Sequence, residues 1–220
     1  MTTPLSGPMM PPRSGGAPRQ AVVRLHGYGS DGADLIGLGQ VWGPAFPDAL
    51  FVSPNAPEAC AVNPGGYQWF ALDLDRAAHD RRLAGAVAAQ PVIVRFLDDL
   101  WTQTGLTPAQ TVLAGFSQGA MMALHTGLSL DRRLAGILAF SGALLPPGGF
   151  PQAAELRPPV ALVHGEFDEV VETDLSRDAE TRLKAAGYEA ALHVSPGIGH
   201  SISTDGLDFA STFLRRALGS

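Results

Sequence analysis

A serine between two glycines is the first group in this sequence that could do chemistry. The pentapeptide Gly115–Gly119 follows the apolar run Thr111–Ala114 and precedes the helix-like stretch Ala120–Leu128. A G-x-S-x-G turn between a strand and a helix holds the serine hydroxyl in the open, and its glycines avoid collisions with both elements. We therefore predict that Ser117 is a nucleophile. The alternative is an ordinary Gly-rich turn in which Ser117 only caps a helix.

A serine hydroxyl becomes a good nucleophile only when a base removes its proton and a third group holds that base. With this kind of turn, the acid and then the histidine follow the serine along the chain. The stretch Pro158–Asp168 has the pattern of a buried strand running into a loop, and Asp168 lies just past the strand. We predict Asp168 as the acid, with Glu166 and Glu169 as nearby competitors.

Two histidines follow that loop and are candidates for the base. His193 lies within the strand-like run Ala190–Val194, where a histidine is commonly a packed or edge residue. His200 lies in the Gly-rich loop Pro196–Ser201, which leads into the last helix, and the glycines let the backbone bring the ring over the serine. We predict His200 as the base.

Acyl transfer also needs N–H donors aimed at the oxygen on which negative charge develops. One donor is the backbone N–H of the residue after the nucleophile, here Gln118, and the other comes from the loop after an early strand. That loop starts at Leu25 and His26, so we expect the second donor to be the N–H of one of these residues.

Other chemistries have weaker support. Gly27, Gly29 and Gly32 form a G-x-G-x-x-G pattern, but the next strand-like run ends without the carboxylate that a dinucleotide site requires. The sequence has no H-E-x-x-H pattern and no close Cys/His grouping, so we predict neither metal nor cofactor. Cys60 lies in a loop without strand–turn–helix context, and we interpret it as a structural residue.

The elements that must position these residues alternate between short apolar runs and helical patterns, which predicts an α/β protein with a mainly parallel sheet flanked by helices. Strands are predicted at Ala21–Leu25, Leu50–Ser53, Thr111–Ala114, Leu134–Phe140, Val160–His164 and Ala190–Val194. One helix is predicted around Val94, Leu97 and Trp101, with Pro91 starting or kinking it. A second is predicted over Asp174–Ala186 and ends at Gly187. A last helix is predicted from the apolar stripe Leu207, Ala210, Phe213, Leu214 and Ala217.

The 220 residues fit one domain of ordinary size. Residues 1–19 are rich in Pro, Gly and Ser and are predicted to form a flexible arm, with room for one short edge segment. Residues 20–220 contain no linker and no internal repeat, which predicts a single domain over that range.

Composition restricts the partners and the location. A net charge of −6 argues against nucleic acid as a partner. No run of about 18 or more apolar residues occurs, so we predict no membrane span. The first twenty residues lack the apolar region of a signal peptide, and the one cysteine has no partner for an internal disulfide. Both features favour a cytoplasmic location.

Taken in order, the motifs resemble the phospholipase/carboxylesterase family of α/β-hydrolases, which includes the acyl-protein thioesterases. The resemblance extends from about residue 20 to the end of the chain. It rests on Leu25-His26-Gly27 with Gly29, Pro54–Pro57, Gln68–Phe70, Gly115–Gly119, His164-Gly165 with Asp168, and Gly199-His200.

This resemblance implies an α/β-hydrolase fold without a large cap domain and an esterase or thioesterase that needs no cofactor. It also implies that the N–H groups of Leu25 and Gln118 are the oxyanion donors and that the chain forms a homodimer. The substrate is then a small-molecule ester, a lysophospholipid or an acyl-protein. Two alternatives stay open, namely an acyltransferase with the same triad and a non-catalytic binding protein on a hydrolase fold.

Acyl preference does not follow from the resemblance. Ala71 stands where family members often carry an acid after Trp-Phe, and Glu169 stands where a proline often follows the catalytic aspartate. Four residues are candidates for the substrate pocket, although the aromatic pair would equally serve to pin a long loop onto the core. They are Trp69, Phe70, Leu144 and Leu145.

Overall fold

The computed structural model describes residues 5–72 and 79–219, without the side chain of residue 79. It contains a seven-stranded sheet in the order β1-β3-β2-β6-β7-β8-β9, in which β1 is antiparallel to β3 and every other pair is parallel. A separate antiparallel pair is formed by β4 and β5. The strands are β1 Met9–Met10, β2 Gln20–Leu25, β3 Ala49–Val52, β4 Glu58–Ala59, β5 Tyr67–Gln68, β6 Thr111–Phe116, β7 Gly136–Phe140, β8 Val160–Gly165 and β9 Ala190–Ser195.

Helices cover both faces of the seven-stranded sheet. They are α1 Gly32–Ile36, α2 Leu38–Trp42, α3 His79–Thr104, α4 Gln118–Gly127, α5 Thr173–Ala185 and α6 Thr204–Leu218, with short 3-10 turns at Pro108–Gln110 and Ala154–Leu156. One apolar cluster includes Ile93 of α3, Met122 of α4 and Leu183 of α5, while a second on the opposite face includes Trp42 and Leu214. Strands enclosed in this way are buried on both sides, which explains why they appear in the sequence as nearly continuous apolar runs.

The predicted α/β fold with a mainly parallel sheet and flanking helices is confirmed, and most predicted strands differ from the observed ones by one or two residues at an end. The strand predicted from Leu134 starts at Gly136 instead. Ala135 directs its N–H to the carbonyls of Pro108 and Thr111, so it belongs to the connection that leads into β7.

Pro91 lies inside α3 and does not start it, so that part of the helix prediction is wrong. A proline inside a helix removes the hydrogen bond to the carbonyl four residues earlier, here that of Val87. Val87 and Pro91 are both exposed, so water can satisfy this carbonyl.

The end of α5 agrees with the sequence pattern. Gly187 has φ of +80°, the left-handed conformation that favours glycine after a helix. Its N–H donates to the carbonyl of Lys184, and the N–H of Tyr188 donates to that of Leu183. These two bonds satisfy carbonyls that the helix itself leaves without partners.

Within the segment predicted as an arm, Met9 and Met10 form the edge strand β1 against Val52 and Phe51 of β3, and residues 1–4 lie outside the described residues. The same segment is also bonded to the residue after β3, since the N–H of Ser53 donates to the Pro8 carbonyl.

The parallel strands all end at the same edge of the sheet, and this edge carries the loops that matter for chemistry. The loop after β2 starts at His26, the turn after β6 carries Ser117, the loop after β8 carries Asp168, and the loop after β9 carries His200. In open α/β sheets, ligands bind at the carboxyl ends of the strands.

Candidate active site

Ser117 lies on a sharp turn between β6 and α4. Its backbone has φ of 54° and ψ of −117°, a region that residues with a side chain rarely occupy. Such a conformation costs about 1–3 kcal/mol and persists only where the surroundings enforce it. A side chain at Gly115 would collide with the carbonyl of Gly119, and one at Gly119 would collide with the carbonyl of Leu25. The two glycines are therefore required by close packing of β2, β6 and α4.

Hydrogen bonds on both sides hold this turn. The N–H of Ser117 donates to the carbonyl of Phe140 at the end of β7 over 2.9 Å, and the Ser117 carbonyl accepts the first helical bond of α4 from Met121 over 3.1 Å. The ring of Phe116 packs against the ring of His200, with 4.8 Å between their centres. The residue before the serine thus places the predicted base beside the turn.

His200 and Asp168 are hydrogen-bonded. Nδ1 of His200 lies 2.7 Å from Oδ2 of Asp168. Because a carboxylate can only accept, Nδ1 carries the proton and Nε2 is left with a lone pair, as a general base requires. The Asp168 side chain is fully buried, whereas the His200 side chain keeps 18% of its surface exposed. The pair therefore combines a sheltered acid with a ring that a substrate can reach.

The second carboxylate oxygen of Asp168 is fixed by its own loop, since Oδ1 accepts the N–H groups of Val170 and Val171, each over 2.9 Å. Burial alone would raise the pKa of Asp168, but the hydrogen bond from His200 and those from Val171 and Val170 outweigh it and hold the pKa below its usual value. Asp168 is therefore an anion at neutral pH.

The competing acids and the competing histidine lie in other surroundings. Glu166 and Glu169 are both exposed, and Oε2 of Glu166 accepts the N–H of Gly197. Nε2 of His193 donates to Oδ2 of Asp205 over 2.7 Å, and the His193 ring stacks on Phe209. Of these candidates, Asp168 and His200 are joined to each other, and the His200 ring lies against Phe116 beside the turn at Ser117.

The two predicted oxyanion donors come from neighbouring elements. Leu25 is the last residue of β2 and pairs with Gly115 of β6, while Gln118 is the first residue of α4. N–H groups in the first turn of a helix have no partner within the helix, and the helix dipole favours negative charge there. The packing of Gly119 on the Leu25 carbonyl brings these two elements into contact.

The side chain of Gln118 has a role that sequence reasoning missed. It is buried, its Oε1 accepts the N–H of Trp69 over 3.0 Å, and its Nε2 donates to the carbonyl of Phe70 over 2.7 Å. Trp69 also donates its ring N–H to the carbonyl of His26 over 2.9 Å. The segment after β5 is thereby clamped to the serine turn, and no local sequence pattern signals contacts across nearly fifty residues.

His26 anchors the loop after β2. Its Nε2 accepts the N–H of Ala56 over 2.9 Å, so its Nδ1 carries the proton and donates to the carbonyl of Gly27 over 2.8 Å. Burial lowers the pKa of His26, which keeps the ring neutral. Both nitrogens are engaged, so the ring is structural.

The four candidate pocket residues are all buried in the first apolar cluster, and this cluster also contains core positions of α3 and α4. The aromatic pair packs close to α3, because a side chain at Gly85 would collide with the ring of Phe70. On the loop after β7, the carbonyl of Leu145 accepts a hydrogen bond from Nδ1 of His125 over 2.8 Å, and Leu144 is equally buried. The described contacts thus place Trp69, Phe70 and Leu145 on fixed segments near the serine helix.

The sequence model of the family described as phospholipase/carboxylesterase matches residues 13–218 of this chain. The chain belongs to this family. The predicted family is confirmed, and membership makes the chain a hydrolase of the esterase and thioesterase class, as predicted. In the part of the chain that the structure describes, no helix is both long and apolar enough to cross a membrane.

Relatives agree with this placement over nearly the full length. Esterase YpfH of Escherichia coli is 30% identical over 197 residues, covering 90% of this chain and 82% of that protein. Acyl-protein thioesterase 1 of Gibberella zeae is 31% identical over 215 residues, covering 90% of each chain. The crystal structure of esterase PE8 is 55% identical and has a TM-score of 0.92, covering 98% of this chain and 100% of that one.

Proposed function

We propose that this chain hydrolyses carboxylic esters or thioesters through an acyl-Ser117 intermediate. The observation that carries the proposal is the hydrogen-bonded His200–Asp168 pair, held beside a serine in a strained strand–helix turn. In this scheme, Nε2 of His200 takes the proton from Ser117 as its oxygen attacks the acyl carbon. The anionic Asp168 stabilises the positive charge that then forms on the ring.

The remaining steps follow from the same atoms. The N–H groups of Leu25 and Gln118 donate hydrogen bonds to the carbonyl oxygen as negative charge develops on it, and loss of such a donor typically costs about 10²–10³ in turnover. His200 then gives its proton to the leaving alcohol or thiol. Water attacks the acyl-enzyme with His200 again as base, which releases the acid and regenerates Ser117.

For the substrate we propose an ester or thioester with an apolar acyl chain, bound against Trp69, Phe70, Leu144 and Leu145. Support comes from the Gln118 side chain, which holds Trp69 and Phe70 next to the serine turn, and from the relatives, whose names are esterase and acyl-protein thioesterase. Each buried methylene of an acyl chain contributes about 0.8 kcal/mol. A lysophospholipid substrate, a homodimer and a cytoplasmic location stay predictions from the sequence.

The test is hydrolysis of p-nitrophenyl esters, from acetate to laurate, by the wild-type chain and by Ser117→Ala. We expect a rate optimum at one chain length, and a loss of turnover of about 10⁴–10⁶-fold in Ser117→Ala with the melting temperature retained. Thioester substrates and an added alcohol acceptor, with product analysis, separate thioesterase and acyltransferase activity from ester hydrolysis.

The matched control is Ser201→Ala, which removes an exposed serine next to His200. This variant should hydrolyse the esters at the wild-type rate. If Ser117→Ala stayed active while folded, the acyl-Ser117 mechanism would be wrong.

A further inference from the structure

A second histidine, His164, lies against Asp168. His164 lies in β8, and its side chain is fully buried. Nε2 of His164 lies 2.8 Å from the carbonyl oxygen of Val171 and 3.2 Å from Oδ2 of Asp168. Nδ1 of the same ring lies 2.6 Å from the hydroxyl of Ser176 in α5.

The protonation of His164 follows from its partners. The Val171 carbonyl can only accept, so Nε2 must carry the ring proton, which then points between this carbonyl and Oδ2 of Asp168. Nδ1 consequently accepts, and the Ser176 hydroxyl donates to it. Burial lowers the pKa of His164, and the hydrogen bonds to Val171 and Asp168 only partly oppose this, so the ring is neutral.

We propose that His164 is a positioning residue for the hydrolysis proposed above, acting through Asp168. Its Nε2 lies 3.2 Å from Oδ2, the oxygen that also accepts from Nδ1 of His200, while the loop N–H groups occupy Oδ1. Each oxygen of the carboxylate thus makes two contacts, which restrain its rotation and so hold the His200 ring in its tautomer and orientation.

The shared oxygen has an electrostatic consequence as well. A donor on Oδ2 withdraws part of the negative charge that stabilises protonated His200. Removing this donor therefore favours protonation of His200 and moves the acid limb of the kcat/KM profile to higher pH. Among the described residues, the titratable groups in electrostatic contact with His164 are Asp168 and His200, and α5 faces it with the neutral Ser176 hydroxyl.

His164→Phe and His164→Gln test the proposal. Phenylalanine fills the space without a donor, whereas the amide nitrogen of glutamine can replace Nε2. For His164→Phe we expect kcat to fall about 10- to 100-fold with KM little changed. The range is that found when a group that hydrogen-bonds to a metal ligand, and so orients it, is removed from a metal site. The acid limb should move to higher pH. His164→Gln should recover most of kcat and return the acid limb to its wild-type position.

His125→Phe is the matched control, because His125 is also a fully buried imidazole that donates to a backbone carbonyl but it does not contact Asp168. It should leave the acid limb in place. A folded His164→Phe protein with an unmoved acid limb would overturn the proposal, whether or not kcat falls, because a merely structural residue would behave in that way.

A second measurement does not depend on how the variants fold. In ¹⁵N-histidine NMR spectra of the wild-type chain, His164 should stay neutral with its proton on Nε2 across the pH range of activity. A proton on Nδ1 would leave no donor for Asp168 and would contradict the proposal. Failure of the proposed hydrolysis itself would show separately, as absence of turnover and of serine labelling in the wild-type chain.

Discussion

The histidines near the carboxyl edge of the sheet differ in which ring nitrogen is engaged. His26 and His164 each use both nitrogens within the protein, which makes them anchors. His200 is held through Nδ1 by Asp168, which leaves Nε2 available for the proposed role as base. Residue type and chain order predict His200 as the base, but the difference between an anchor and a base depends on partners that only the folded chain supplies.

Arg24 is a residue whose environment conflicts with its charge. It lies in β2, is 1% exposed, and stacks over the ring of Phe51, with 5.2 Å between Cζ and the ring centre. None of its three side-chain nitrogens has a hydrogen-bond partner among the described residues. Burial lowers the pKa of Arg24 to about 9, which means that the folded state disfavours the charged form.

We therefore predict that Arg24→Met raises the free energy of unfolding by about 1–4 kcal/mol. The folded pKa lies below the unfolded one, so the charge destabilises the fold at neutral pH. This penalty shrinks as pH rises through 9, where folded Arg24 loses its proton. Urea unfolding at pH 7 and pH 10 measures both effects.

The control for this prediction is Arg133→Met, because Arg133 is exposed. Its unfolding free energy should be close to that of the wild-type chain. A loss of stability in Arg24→Met would show that the guanidinium has a stabilising partner and would contradict the interpretation.

At the scale of elements, α4 does more than present Ser117, because the Gln118 side chain ties it to the segment after β5. Replacing this side chain leaves the Trp69 N–H and the Phe70 carbonyl buried without partners. An unpaired buried group of this kind costs about 1–3 kcal/mol. The clamp therefore couples the stability of the serine turn to the position of the aromatic pair.

We predict that Gln118→Met lowers the free energy of unfolding by roughly 1–3 kcal/mol. The variant should also change the acyl-length preference. Turnover should stay measurable, because the backbone N–H of residue 118 remains. Gln118→Glu is the comparison variant. Its carboxylate still accepts from Trp69, but it is a buried charge that faces the Phe70 carbonyl, so this variant should be less stable than Gln118→Met. Equal urea midpoints for both variants and the wild-type chain would refute the clamp.

Element positions could be predicted where sequence periodicity reports burial directly, as in β6, β8 and α6. Features that depend on contacts between residues far apart in the sequence could not be predicted. Arg24 interrupts an apolar run without breaking the strand, because Phe51 of the neighbouring strand accommodates its head. The helices α1 and α2 are only five residues each, too short to show a period, and α3 continues through Pro91 on an exposed side.

For the molecule as a whole, the proposed hydrolysis depends on one property of the parallel sheet, namely that its strands end together. Residues 117, 168 and 200 are separated by long stretches of chain, and the carboxyl edge of β6, β8 and β9 brings them to one place. The division into an arm over residues 1–19 and one domain over 20–220 stays a prediction.

The most direct test of the central claim is covalent labelling with a serine-directed fluorophosphonate, followed by intact-protein mass spectrometry and peptide mapping. We expect a single adduct on Ser117, labelling that slows sharply in His200→Ala, and wild-type labelling in Ser201→Ala. An unlabelled wild-type chain, or an adduct that persists in Ser117→Ala, would contradict that claim.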